Sequence, residues 1–260
     1  MNSHRYADCA LVTVLMACLP ATGLAACDAR SGPMMAALVE LYTSEGCSSC
    51  PPADRQLSRL RQTLDPAAEV VPLSLHVDYW DYIGWKDPYA QAAFGARQNW
   101  LIRANRHRTT YTPQFFISGT ELRTWRSALR DTVRRVNALP AAAAIRVRAS
   151  IAPNGALALN AEATVRTGAD PAALYVAITE SGLTSKVTGG ENSGATLAHD
   201  HVVRDWIGPA GVTGGAARVQ REIALPLAWN RARLEVVAFV QDVRTGGVLQ
   251  AVSANRCAGS

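Results

Sequence analysis

The sequence predicts an α/β domain followed by an all-β domain, with the boundary near residue 140. Before that point, short apolar runs alternate with segments in which apolar residues recur at helical spacing. After it, short β-type segments follow one another and are separated by Gly, Asn and Asp turns. The chain has 260 residues, of which 48% are apolar and 18% are charged, as is typical of a packed globular protein.

The first part alternates strands and helices. The first predicted helix carries Leu57, Leu60 and Leu64 on one face. The predicted elements are, in order, a strand over residues 36–42, a helix over 51–64, a strand over 70–77, a helix from 87 towards 106, strands over 114–118 and 121–123, and a helix over 125–139. This order, β-α-β-α-β-β-α, is a parallel βαβ unit followed by a hairpin and a covering helix. It is the thioredoxin arrangement, so we predict a thioredoxin-like domain over residues 27–140.

The second part, residues 141–260, is predicted to be an all-β, sandwich-like domain. Alternating apolar segments flank Asn154-Gly155, a strong signal for a hairpin turn. Further β-type segments follow at short intervals, over residues 174–179, 195–207, 218–225, 234–240 and 248–252. Only Pro140 and four alanines join the two parts.

Residues 1–26 are predicted to form a signal peptide. Arg5 supplies positive charge, an apolar run covers residues 9–19, and residues 23–25 provide small side chains near the cleavage site. The run is shorter than the about 20 apolar residues that a membrane-spanning helix needs. We therefore expect a protein of the periplasm, or a secreted one, in an oxidising compartment and without a membrane span.

Cys27 admits more than one role. Residues 24–27 resemble a bacterial lipobox, in which Cys27 would carry a lipid anchor, and Asp28 resembles an inner-membrane retention signal. Alternatively, Cys27 forms a structural disulfide with Cys257, or stays a free thiol. At this point the sequence leaves these alternatives open.

The strongest chemical signal is the pair Cys47 and Cys50, which directly follows a predicted strand and opens a predicted helix. Two cysteines at this spacing can close and reopen a disulfide with little backbone motion. Pro51 and Pro52 suit the first helical turn, where amide hydrogens have no intrahelical partner. Because a helix N-terminus favours an anion, we expect a moderately lowered pKa for the Cys47 thiol.

Thr112 and Pro113 precede the third predicted strand. Thioredoxin-like proteins place a cis proline at this point, facing the cysteine pair. Since X-Pro bonds are the common route to a cis peptide, we predict a cis bond here. The backbone of Thr112 would then position a bound thiol or peptide.

A histidine and an aspartate follow the second predicted strand, at the same sheet end as the cysteine loop. His76 or Asp78 would move protons during thiol exchange, or His76 would join Cys47 and Cys50 around a soft metal such as Cu(I). The simpler interpretation is that the aromatic loop over residues 76–85 covers the sheet end. His199 and His201 lie two apart on a predicted strand and would face the same way, which makes them a weaker metal candidate.

Composition excludes several function classes. The net charge is +5, and the densest basic group is Arg97, Arg103, Arg106 and Arg108, but no nucleic-acid reading module accompanies it. The sequence has no Gly-rich phosphate loop, nucleophile elbow or paired-histidine zinc helix. We therefore predict no nucleic-acid partner and no cofactor, and we make no prediction of oligomeric state.

Four blocks of the sequence resemble a known family. Residues 39–54, 76–85, 111–114 and 191–204 are similar to the conserved segments of a bacterial family of secreted, thioredoxin-like proteins, the domain of unknown function numbered 1223. The resemblance implies a thioredoxin-like fold and export, but no reaction, because the family is uncharacterised. Cys27 and Cys257 lie outside these blocks, which favours their pairing with each other.

The leading hypothesis is a thiol-disulfide oxidoreductase that acts on protein or small-molecule thiols and disulfides. Cys47 would attack, Cys50 would resolve the mixed disulfide, and Thr112 with Pro113 would position the partner. One alternative is a module that binds and delivers copper or another soft metal through Cys47, Cys50 and His76. Another is a binding protein in which the disulfide is structural and the β-domain contacts the partner.

Overall fold

A computed structural model describes Met1, residues 26–166 and residues 171–255. It is a mixed α/β structure dominated by β-sheet. The strands are β1 (Ala26–Arg30), β2 (Ala37–Thr43), β3 (Val70–His76), β4 (Gln114–Ile117), β5 (Thr120–Glu121), β6 (Ala143–Ile151), β7 (Leu157–Val165), β8 (Ala172–Glu180), β9 (Leu183–Lys186), β10 (Thr196–His199), β11 (Val202–Gly211), β12 (Ala216–Ile223), β13 (Leu234–Asp242) and β14 (Val248–Asn255). The helices are α1 (Pro51–Ser58), α2 (Leu60–Thr63), α3 (Ala92–Ala104) and α4 (Trp125–Asn137), with 3₁₀ turns over Asp81–Ile83 and Arg231–Arg233.

Three predicted elements are divided, shortened or interrupted in the structure, beyond small shifts of the bounds elsewhere. The helix predicted over residues 51–64 is divided at Arg59, which lies outside helical geometry with ψ near 1°. The helix predicted from Asp87 begins only at Ala92, because the Asp87 carboxylate accepts the N–H of Tyr89 and holds a turn there. The strand predicted over residues 195–207 is interrupted at His201, whose φ of 58° ends regular pairing.

The strands form one large sheet and two smaller ones. The eight-stranded sheet has the order β14-β13-β8-β11-β3-β2-β4-β5. In it, β2 runs parallel to β3 and antiparallel to β4. On the side of β3 away from β2 lies β11, which runs parallel to β3 and pairs with it at Ser74 and Val202. The Ser74 N–H donates to the carbonyl oxygen of His201 at 2.8 Å. Strands from both sides of residue 140 therefore share one sheet.

The second sheet covers part of the first. Strands β1, β6, β7 and β12 form a four-stranded antiparallel sheet that packs on β8, β13 and β14. The part predicted as an all-β sandwich thus contributes three of the four strands of this layer, with β1 from the N-terminal part as the fourth, while β8, β11, β13 and β14 extend the eight-stranded sheet. Strands β9 and β10 form a separate two-stranded ribbon.

Both faces of the central strands are buried. Leu38 and Tyr42 of β2 belong to the cluster under α3, whereas Val39 and Leu41 belong to the cluster under α1 and α4. A strand buried on both faces has an almost continuous apolar sequence, and β2 has that pattern except at Glu40.

Glu40 is neutralised by an arginine from α3. Arg97 Nε lies 2.7 Å from Glu40 Oε1, and Arg97 also donates to Gln241 Oε1 at 3.0 Å. Both members of the ion pair are buried. The guanidinium lies over four aromatic rings, those of Trp100, Tyr175, Trp206 and Phe239. Arg97 is therefore a core residue and not part of the exposed basic group that the sequence suggests.

Two turns from opposite halves meet backbone to backbone. Gly119, with φ of 86°, follows β4, and Gly246 lies in the turn between β13 and β14. A Cβ at Gly119 would overlap the carbonyl oxygen of Gly246. The N–H of Val248 also donates to the carbonyl oxygen of Ser118 at 3.2 Å. Glycine is required at position 119 by both its conformation and this contact.

The N-terminal predictions lie largely outside the described residues. These include residues 2–25 of the predicted signal peptide, which stays a prediction, as does the lipid anchor. Cys27 is on β1 and is disulfide-bonded, while Cys257 lies outside the described residues, so their pairing also stays a prediction. In the described part of the chain, no helix is long and apolar enough to cross a membrane.

Replacing Arg97 by methionine is expected to lower the free energy of unfolding by about 3–5 kcal/mol, because Glu40 would keep its burial and lose its countercharge. Urea unfolding measures the change. Arg134→Met, at an exposed position of α4, should cost less than about 0.5 kcal/mol. Adding Glu40→Gln to Arg97→Met should recover part of the loss; a double variant less stable than Arg97→Met would contradict the charge argument.

Candidate functional site

Cys47 and Cys50 form a disulfide at the junction of β2 and α1, with their Cα atoms 5.5 Å apart. Cys50 is the N-cap of α1, and Pro51 and Pro52 occupy its first positions. Both cysteines are buried, at 1% and 0% exposure. Cys47 Sγ lies 3.3 Å from Oγ of Ser49, an exposed residue of the loop between the cysteines. The disulfide is therefore covered, but its Cys47 side lies directly below the surface.

The Thr112–Pro113 peptide bond is cis, as the sequence predicts. Gln114 of β4 pairs with Tyr42 of β2 in the antiparallel register. Pro113 is therefore level with Thr43, the last residue of β2, and lies at the same sheet end as the cysteine loop.

His76 is fully buried at the end of β3 and is paired with Asp87. Its Nδ1 lies 2.8 Å from Asp87 Oδ2, and the same carboxylate accepts the backbone N–H groups of Glu45 at 2.8 Å and Tyr89 at 2.9 Å. Burial opposes the charged form of each partner. The charge and hydrogen bond of Asp87 nevertheless raise the pKa of His76, and those of His76 hold the pKa of Asp87 below its usual range.

A second buried pair joins the cysteine loop to the C-terminal half. Glu45 Oε1 lies 2.9 Å from His199 Nε2, and Glu45 Oε2 accepts the indole N–H of Trp85 at 2.8 Å. The rings of His76 and His199 meet edge to face with centroids 4.9 Å apart. The two pairs therefore form one buried cluster of ionisable groups at the end of β2 and β3.

Asp54 adds a third acid to this region. It lies one helical turn after Cys50 and is buried, and its N–H donates to the Cys50 carbonyl oxygen at 3.1 Å. Burial raises the pKa of Asp54, against the opposing positive charges of His76 and His199. Within the described part of the chain, its Oδ1 has no hydrogen-bond partner.

The structure places two predicted site residues elsewhere. Asp78 does not pair with His76; its carboxylate faces Gly95 of α3, at 3.7 Å from the position of a Cβ there. His199 and His201 do not face the same way, because the strand predicted to hold both is broken between them. His199 contacts Glu45, whereas Nδ1 of His201 lies 3.5 Å from Glu235 Oε2. No group of three or more His, Cys, Asp or Glu in the described ranges is arranged to hold a metal ion.

Sequence reasoning missed Glu45, Asp54 and Asp87 as site residues, and it treated His199 as a metal candidate beside His201 instead of as the partner of Glu45. Each is a polar residue beside an apolar segment, and a charge buried there needs a partner. That signal exists for Glu45, which directly follows an apolar strand. It does not indicate that the partner lies 154 positions away, at His199.

The fold and the site together define a mixed α/β protein with a buried CxxC disulfide at a strand–helix junction. The family model "Protein of unknown function (DUF1223)" matches residues 38–241, and the chain therefore belongs to this family. The resemblance predicted from the sequence is confirmed. No curated protein matches the sequence.

Two solved structures are similar over most of the chain. The X-ray structure of a protein from Agrobacterium tumefaciens has a TM-score of 0.62 at 25% identity, and covers 86% of this chain and 96% of its own. HBP35 of Porphyromonas gingivalis has a TM-score of 0.67 at 15% identity, and covers 88% of this chain and 79% of its own. At 15% identity, the similarity to HBP35 is a similarity of fold alone.

The pair of His76 and Asp87 predicts a pH-dependent stability. The raised pKa of His76 stabilises the native state below the unfolded value of about 6.5, and this contribution disappears as pH rises through the native value. The lowered pKa of Asp87 contributes above about 3.9 and is lost as pH falls. Asp87→Asn should therefore cost most between about pH 4 and 6.5, and less at higher pH.

The measurement is urea unfolding of the protein and of Asp87→Asn at about pH 5.5 and about pH 8.5. The difference in the free energy of unfolding should shrink at the higher pH. Asp131→Asn, at an exposed position of α4, should give a small difference that does not change in this way. A cost of Asp87→Asn that grows with pH would contradict the assignment.

Proposed function

We propose that this protein is an exported thiol-disulfide oxidoreductase whose reacting pair is Cys47 and Cys50, carried by a thioredoxin-like domain over residues 27–140. Its partners would be protein or small-molecule thiols and disulfides of the periplasm or the extracellular space. The observation that carries the proposal is the disulfide between these two cysteines at the N-terminus of α1. A sulfur at this position gains from the helix dipole when it becomes a thiolate.

The surroundings of the disulfide support the proposal. Pro113, after a cis bond, lies at the same sheet end as the cysteine loop, where the backbone of Thr112 would bind the substrate chain. The hydroxyl of Ser49, 3.3 Å from Cys47 Sγ, is placed to donate a hydrogen bond to a thiolate. The reduced form of Cys47 would therefore have two sources of stabilisation.

The exchange proceeds in two balanced steps. A substrate thiolate attacks Cys47 Sγ, a mixed disulfide forms, the bond to Cys50 breaks, and the Cys50 sulfur leaves as a thiolate that takes up a proton. A second substrate thiolate then attacks the substrate sulfur of the mixed disulfide, and Cys47 leaves as a thiolate. The substrate loses two electrons and gains a disulfide, while the protein gains two electrons. The reverse sequence reduces a substrate disulfide.

Asp54 is the candidate proton donor for Cys50. It lies one turn further along α1, on the same helix face. Because burial raises its pKa, Asp54 holds a proton to higher pH than an exposed aspartate does.

Cys47→Ser is expected to abolish reduction of insulin by the purified protein, because the attacking thiolate is lost. Cys50→Ala should trap mixed disulfides that separate from the protein only in the presence of a reductant. The matched control is Cys27→Ser combined with Cys257→Ser, assayed below its melting temperature, which should retain activity. Equal insulin reduction by Cys47→Ser and the unmodified protein would refute the proposal, and a disulfide that resists reductant in the folded protein would support the structural alternative.

Asp54→Asn is expected to slow the reduction of the disulfide by dithiothreitol about tenfold at the pH values at which Asp54 holds a proton, because the leaving sulfur of Cys50 loses its proton donor. Stopped-flow measurements across pH provide the test, and the unmodified protein should show a titration that Asp54→Asn lacks. Asp131→Asn should behave as the unmodified protein. An unchanged pH profile in Asp54→Asn would remove Asp54 from the mechanism.

A further inference from the structure

The segment between β9 and β10 reaches across the molecule to the cysteine loop. The N–H of Val187 donates to the carbonyl oxygen of Ala195 at 2.9 Å, and the N–H of Gly194 donates to that of Val187 at 2.8 Å. Gly189 packs so closely against Gly84 that a Cβ at Gly189 would overlap the Gly84 carbonyl oxygen. Because these backbone contacts fix the segment, its side chains have defined positions.

Two neighbouring side chains of this segment bind the cysteine loop. Asn192 Nδ2 donates to the carbonyl oxygens of Glu45 at 2.8 Å and Cys47 at 2.9 Å. Glu191 Oε2 accepts the backbone N–H of Ser48 at 2.9 Å and its hydroxyl at 2.7 Å. The C-terminal half thus contacts the loop that separates the two cysteines.

Glu191 is exposed, and its contacts favour the charged carboxylate. The backbone N–H and the hydroxyl of Ser48 lower the pKa of Glu191 through their hydrogen bonds. A negative charge is therefore fixed beside the residue that follows Cys47. The carboxylate also occupies the Ser48 N–H, the backbone amide that directly follows Cys47 in the chain.

The hydroxyl of Ser49 acts in the opposite direction. Its Oγ lies 3.3 Å from Cys47 Sγ, within reach of a hydrogen bond to a thiolate. The loop therefore has one group that stabilises negative charge on Cys47 and, next to it, one that opposes such charge. The balance between Ser49 and Glu191 affects the stability of the reduced cysteine pair.

We propose that Glu191 is a positioning residue that sets the redox potential of the Cys47–Cys50 pair and keeps the pair more reducing than its loop alone would be. The inference rests on the proposed thiol-disulfide exchange. In the reduced form Cys47 is a thiolate, and the nearby carboxylate raises the free energy of that form. The equilibrium shifts towards the disulfide, so two electrons pass more readily to a substrate disulfide, which becomes two thiols.

The test is Glu191→Gln, which keeps an oxygen acceptor for Ser48 and removes the charge. Equilibration with reduced and oxidised glutathione should show the equilibrium constant displaced towards the reduced protein by about threefold to tenfold, tenfold being about 30 mV. In the Cys50→Ala background, the pKa of Cys47, measured from the pH dependence of alkylation, should fall. Ser49→Ala should move both quantities in the opposite direction.

The matched control is Glu222→Gln, which makes the same charge change at an exposed position of β12 and should leave the potential unchanged. If the unmodified protein does not exchange with glutathione, the proposed function fails. If it exchanges normally and Glu191→Gln has the potential of Glu222→Gln, or a more reducing one, the role of Glu191 fails and the proposed function stands. A potential shift without a shift in the pKa of Cys47 would also overturn the charge mechanism.

Discussion

The buried ion pair of Glu40 and Arg97 is the interaction on which the arrangement of the eight-stranded sheet depends. Glu40 lies within β2, a strand buried on both faces, and a carboxylate in such a place requires a countercharge. Arg97 supplies it from α3 and thereby fixes this helix over the sheet. The aromatic rings around Arg97 come from both halves of the chain, so the pair joins the layer that carries the cysteines to the strands that follow residue 140.

The candidate site repeats this principle at the end of the same sheet. His76 with Asp87 and His199 with Glu45 are buried pairs, and each histidine packs against the other. The second pair crosses between the halves of the chain, as do the contacts of the segment between β9 and β10. A simple CxxC loop on one domain would lack these partners. The cysteine loop of this protein therefore contacts residues that are far away in the sequence.

Sequence patterns over a few residues predicted those features of the fold and the site that depend on local structure. The cysteine pair at a strand–helix junction, the cis bond before Pro113 and the approximate strand positions all follow from residue type and periodicity over a few residues. The partner of Glu45 did not follow, because a contact across 154 positions depends on the tertiary arrangement of the chain. The partner of His76 lies only 11 positions further on, but the contact depends on the path of the loop between them. For the same reason, the sequence does not predict that the large sheet extends from β3 to β11. These two strands pair at one parallel residue pair, and no periodic pattern in the sequence marks that contact. His201 broke a strand that apolar patterning alone would continue.

The contact between Gly119 and Gly246 affects how the whole molecule unfolds. Two turns from opposite halves touch through backbone atoms at Gly119 and Gly246, which cannot absorb a displacement by a change of rotamer. Because the halves also share one sheet, we expect both to unfold in a single cooperative transition, as one foldon, and not separately. The contact also means that the cysteine-bearing half cannot be transferred to another β-layer as a module unless that layer has a turn with glycine at the same position as Gly246.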